Sequence, residues 1–113
     1  MSERPVKIIL EDIIEAIDDA LSFTEGMEIK EFLKDKKTQA ASIRSIEIIG
    51  EAVNRLPDTL IARYTDIDWH KAVSMRNKLI HGYFDLDLAM VWNTIKNVLP
   101  GFKEQIKVLV EVS

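Results

Sequence analysis

Val6-Lys7-Ile8-Ile9-Leu10-Glu11-Asp12-Ile13-Ile14-Glu15-Ala16-Ile17-Asp18-Asp19-Ala20-Leu21-Ser22-Phe23 repeats its apolar residues at helical spacing, and the same period returns in almost every later segment. Ile9, Ile13, Ile17 and Leu21 mark one face. Leu10, Ile14 and Ala20 stand beside it, whereas Glu11, Asp12, Asp18 and Asp19 lie away. Strand alternation is weak throughout. The expected fold is all-α, a helical bundle of four to five main helices forming a single domain over residues 1–113.

Working outward, Glu25-Gly26-Met27 ends the first helix, and a short amphipathic piece follows at Ile29 to Leu33. A lysine-rich connection, Lys34 to Lys37, leads into a second long helix from Thr38 to Arg55. That helix stops before Pro57, which has no amide hydrogen and disfavours helical geometry in its predecessor. Ile43, Ile46, Ile49 and Val53 give it an apolar stripe, and Arg44, Glu47 and Glu51 a polar one. Gly50, inside the helix, costs about 1 kcal/mol relative to alanine and so points to a close packing contact. A short helical segment is expected at Asp58 to Tyr64, with Asp66-Ile67-Asp68 offering a capping carboxylate for a helix that begins near Trp69. Gly82 marks the end of that helix. Asp85 then caps Leu86 to Asn97, and Pro100 opens a last helix to about Val110.

The composition narrows the function classes. Nearly half of the 113 residues are hydrophobic, enough for one core, and the absence of cysteine excludes disulfides, thiolate metal sites and a cysteine nucleophile. A net charge of -4 argues against coating nucleic acid by bulk charge, since such affinity comes from many Lys and Arg contacts. The amino terminus lacks the pattern of a signal peptide, and charges interrupt every apolar run before it could span a bilayer. A soluble cytoplasmic protein with no membrane association is expected.

Against that acidic background, Trp69 to Phe84 carries Lys71, Arg76 and Lys78 with no acid, and both histidines, His70 and His81. Within it, Arg76-Asn77-Lys78-Leu79-Ile80-His81-Gly82-Tyr83 gathers a permanent cation, an imidazole and a phenol. Trp69, Val73, Arg76, Ile80 and Tyr83 follow the spacing of an apolar seam, which Arg76 interrupts. A guanidinium there needs a partner, or the seam borders a cleft or a second subunit. Glu47 and Glu51 are the structural candidates for pairing with it. His81, five residues on, is rotated by about 140° on a continuous helix. A helix finishing at His81, or two such segments meeting across a symmetric dimer, would bring the groups together; as a plain structural residue His81 would cap terminal carbonyls.

Such groups suit RNA cleavage without metal. A histidine can take the ribose 2′-hydroxyl proton or protonate the leaving 5′-oxygen, while an arginine neutralises charge on the phosphoryl oxygens. Tyr83 could bind or stack on substrate, or be only a partly buried aromatic. Neither histidine has a glutamate three residues earlier, and no Gly-rich phosphate loop, G-x-S-x-G elbow or H-E-x-x-H is present, so no metal or cofactor is expected.

The order Arg44-x-x-Glu47-x-x-Gly50-Glu51-Ala52, Asp68-Trp69, Met75-Arg76-Asn77, His81-Gly82-Tyr83-Phe84, Val91-Trp92 and Leu99-Pro100 resembles the HepT-like branch of the HEPN superfamily over nearly the whole chain. The resemblance implies a ribonuclease, the toxin half of a HepT/MntA toxin-antitoxin pair. Arg76 and His81 correspond to the R-x4-H catalytic pair at a dimer cleft, and Asn77 to the polar residue after the arginine. Arg44, Glu47 and Glu51 match positions that support the site. Tyr83 corresponds to the tyrosine that receives AMP from ATP through the MntA-like minimal nucleotidyltransferase antitoxin, which silences the toxin. The implied partners are therefore an RNA substrate such as tRNA or mRNA, the antitoxin, and a second copy of the chain. The competing reading is a non-catalytic helical adaptor that binds the nucleotidyltransferase.

Overall fold

The computed structural model describes residues 5–81 and 87–113, apart from the side chains of Ile80 and His81. Its helices are α1 (Val6–Phe23), α2 (Ile29–Phe32), α3 (Lys36–Asn54), α4 (Asp58–Arg63), α5 (Trp69–His81), α6 (Leu88–Asn93) and α7 (Leu99–Val112), with a π-helical segment at Thr94–Val98 joining α6 to α7. No strand occurs among the described residues, and none of their helices is long and apolar enough to cross a membrane. Four helices are long, as the periodicity predicts.

Helix α1 packs between α3 and α7, and α5 lies against the other side of α3. The periodic face of α1 supplies the centre: Leu10, Ile13, Ile17 and Ala20 are fully buried, against Ile46 and Ile49 of α3 and Phe102, Ile106 and Leu109 of α7 in one cluster. At the far end of α1 the Thr24 hydroxyl donates to the Ala20 carbonyl, and the Lys96 ammonium donates to the Thr24 carbonyl, each at 3.0 Å. Lys96 also lies over the Trp92 ring, which meets the Phe32 ring as well.

Helix α3 starts at Lys36, two residues before the expected Thr38, because Asp35 is its cap. The Asp35 carboxylate accepts from the Thr38 amide at 3.0 Å and from its hydroxyl at 2.7 Å. Those bonds, the amide first, hold the Asp35 carboxyl below its ordinary range.

The carboxyl-terminal third differs more from the sequence reading. Asp87, not Asp85, caps α6 by accepting from the Met90 amide at 3.1 Å, and the helix begins at Leu88; Asp85 and Leu86 lie outside the described residues. Between α6 and α7 the Leu99 amide donates to the Thr94 carbonyl, five residues back. Pro100 has no amide hydrogen to continue an α pattern, and its ring crowds the carbonyl four residues before it. The widened π turn falls immediately before that proline and lets α7 follow without a loop.

The start of α5 is tied down from two directions. The Asp68 amide donates to Gln105 Oε1 of α7 at 3.1 Å, and the Trp69 indole N–H donates to the Tyr64 carbonyl at 3.0 Å. The Trp69 ring stands edge-on to Phe102, with centroids 5.9 Å apart. These contacts fix the rotation of the helix that carries Arg76.

Candidate active site on helix α5

The face that α5 buries is not the seam expected from spacing. Trp69, Ala72, Met75 and Leu79 form the buried stripe, while Val73 and Arg76 sit half-exposed on its flank. The correction has a local cause in Gly50. A Cβ built there would overlap Arg76 Cβ and come within 2.6 Å of its Cγ and 3.3 Å of the Ala72 carbonyl oxygen. The missing side chain is therefore the space into which the Arg76 stem fits. The close contact expected at Gly50 is present, and its partner is Arg76.

From that anchored stem, Arg76 Nη1 donates to Asn77 Oδ1 at 3.1 Å. Its Nε is shielded from solvent and has no hydrogen-bond partner. Among the described residues no carboxylate reaches ion-pair distance of Arg76. The expected structural pairing with Glu47 or Glu51 is thus not seen there. Glu51 instead pairs with Arg44 at 3.7 Å and faces α1, where it lines a shallow groove with Asp12, Glu15 and Asp19. Glu47 is half-buried one turn before Gly50. A guanidinium in this state retains hydrogen-bonding capacity for an anion.

α5 is described as far as His81, whose side chain lies outside the described residues, as do Tyr83 and Gly82, where the helix was expected to end. The structure thus brings together Arg76, Asn77 and Gly50, and separately Arg44 and Glu51. Among the described residues, no group of three or more His, Asp or Glu side chains could hold a metal ion.

Two residues of the expected seam, but not Arg76, border a cleft. Trp69 and Val73 line a cavity of about 450 Å³ that also takes in His70 of α5, Val53 and Asn54 of α3, and Ile61 of α4. Sequence reasoning did not single out Asn54 or give His70 a place. The signal lay in Trp69 and Val73, which line the cavity one turn and more before Arg76 on the same flank.

The chain matches the family model described as Ribonuclease HepT-like over residues 13–109. It is 40% identical over 111 residues to Putative RNase MJ0127 of Methanocaldococcus jannaschii, covering 98% of this chain and 92% of that protein. It is 44% identical over 101 residues to the Probable ribonuclease HepT of Thermococcus cleftensis, covering 89% and 92% of the two chains. Putative RNase TTE0752 of Caldanaerobacter subterraneus is 33% identical over 102 residues, covering 90% and 91%. No solved structure matches.

Proposed function

This chain belongs to the Ribonuclease HepT-like family, and from that premise we propose that it is a metal-independent endoribonuclease in which Arg76 and His81 are the catalytic pair. The observation that carries the assignment is the state of Arg76. Its stem is held by the gap at Gly50, Asn77 orients one nitrogen, and no carboxylate neutralises it among the described residues. A cation positioned but not consumed by an ion pair suits a phosphoryl oxygen whose charge grows in the transition state.

In the proposed reaction His81 accepts the 2′-hydroxyl proton, the 2′-oxygen attacks phosphorus, and the 5′-oxygen leaves with a proton. A symmetric dimer would place two His81 side chains at one cleft, one as base and one as acid, and so answer the offset of about 140° between Arg76 and His81. On α3 it is Gly50 that seats Arg76, while Arg44 and Glu51 pair with each other on the side facing α1. The products are a 2′,3′-cyclic phosphate and a 5′-hydroxyl. Purified protein incubated with total RNA in excess chelator should yield those ends; cleavage that appears only on adding a divalent metal would overturn the mechanism. A non-catalytic adaptor would leave the RNA intact.

The physiological role follows the same reading: a growth-inhibiting toxin controlled by a minimal nucleotidyltransferase. The Tyr83 phenol oxygen attacks the α-phosphorus of ATP, pyrophosphate leaves, and an AMP ester remains two residues from His81. Its negative charge would repel the RNA backbone and its bulk would fill the cleft. Incubation with ATP and the cognate transferase should add one AMP mass to the peptide containing Tyr83 and abolish cleavage. Unchanged labelling of Tyr83→Phe would refute the assignment of the tyrosine.

A further inference from the structure

We propose that the cavity between α3, α4 and α5 is a nucleobase subsite, which receives one unpaired base adjacent to the scissile phosphate. This rests on the ribonuclease reading above and adds to it a site that selects sequence. Three observations carry it.

The first is position. Trp69 precedes Arg76 by seven residues and so lies within about 20° of it around α5, and Val73 is one turn closer. On the facing helix, Val53 and Asn54 follow Gly50 by about one turn, roughly 5 Å. Gly50 and Arg76 do not line the cavity, but both of its walls begin within about one turn of their contact. A phosphate on Arg76 places the neighbouring base at the cavity mouth.

The second is size and lining. At about 450 Å³ the cavity falls within the range of small-ligand sites. Val53, Ile61, Val73 and the buried Trp69 provide apolar walls, whereas the exposed Asn54 and His70 stand at the rim. A flat heteroaromatic ring with a hydrogen-bonding edge fits that division. Asn54 offers an amide donor and acceptor together, the pair that reads a base edge, and His70 offers a ring nitrogen of either kind.

The third is charge. The only carboxylate lining this cavity is the exposed Asp58. The groove between α1 and α3 is lined by four carboxylates and one cation, Arg55, so the cavity beside α5 is the less acidic of the two. Because a base must leave its stack to enter, the subsite requires single-stranded RNA.

The test uses full-length protein carrying His81→Ala to prevent turnover, with and without Asn54→Ala or His70→Ala. Both changes are at exposed positions, and thermal melts confirm folding. Binding of single-stranded oligoribonucleotides randomised at each position flanking the cut is measured by fluorescence anisotropy. Each rim variant is expected to weaken the preferred oligonucleotide about tenfold and to flatten base preference at one position. Unchanged affinity and unchanged base preference in both variants would overturn the subsite, whatever the cleavage result. If His81→Ala alone still cleaves, the catalytic assignment fails instead, and the binding comparison still decides the subsite.

Discussion

Replacing Arg76 or His81 by alanine is expected to slow cleavage of single-stranded RNA by about 10²- to 10⁴-fold, the usual scale for removing an acid-base group or a charge-stabilising donor. The two substitutions should differ in their partial replacements. Arg76→Lys keeps the charge but loses the planar fork, so it should recover only part of the rate. Neither alanine variant should unfold the domain. Arg76 lies on the flank of the buried stripe, and its removal also removes a shielded Nε that has no partner. Single-turnover rates, with circular dichroism melts on the same samples, separate the effects. Cleavage within a few-fold of wild type in both variants would sink the catalytic pair.

Gly50 gives the largest expected effect on stability. On propensity alone Gly50→Ala should stabilise α3 by about 1 kcal/mol. The contact predicts the opposite sign, because the added Cβ collides with Arg76 Cβ and Cγ, atoms close to the α5 backbone rather than at a flexible end. Helices α3 and α5 must then separate, at a typical overpacking cost of about 1–3 kcal/mol beyond the propensity gain, and more for Gly50→Val. In an Arg76→Gly background the collision with the arginine stem is gone and only the 3.3 Å approach to the Ala72 carbonyl oxygen remains, so Gly50→Ala should cost clearly less than in the wild type. That coupling, read from denaturant midpoints, is the diagnostic. A Gly50→Ala protein more stable than wild type would show that the helices are not in tight contact there. Cleavage should fall with stability, since the same shift displaces Arg76.

Much of this could be read along the chain because it is local. The bounds of α1 follow from its periodicity, and the start of α5 near Trp69 from a regular repeat. The misjudged elements have equally physical causes. Asp35 and Asp87 each took a capping role that spacing alone did not assign. The segment before Pro100 stayed helical by widening into a π turn where a break was expected, because continuing the rod keeps Ile95 and Leu99 in the core.

The site divides in the same way. The order of residues singled out Arg76, Asn77, His81 and Tyr83 together as candidates, through their chemistry and the family resemblance that ranks them. What it could not supply was the rotation of α5. Two stripes compete on that helix, Trp69-Val73-Arg76 and Trp69-Ala72-Met75-Leu79, and both satisfy the helical period.

The sequence by itself determined that the chain is helical and where its long helices lie, and it supplied the candidates proposed to act on a phosphodiester. Only the tertiary structure decided that Arg76 faces Gly50, that Glu51 turns away to Arg44, and that Trp69 and Val73 open onto a cavity. Helical period arises from hydrogen bonds between residues four apart, so it is written locally. Which flank is buried depends on the shape of a surface twenty-six positions away, where the absence of one Cβ lets an arginine stem in.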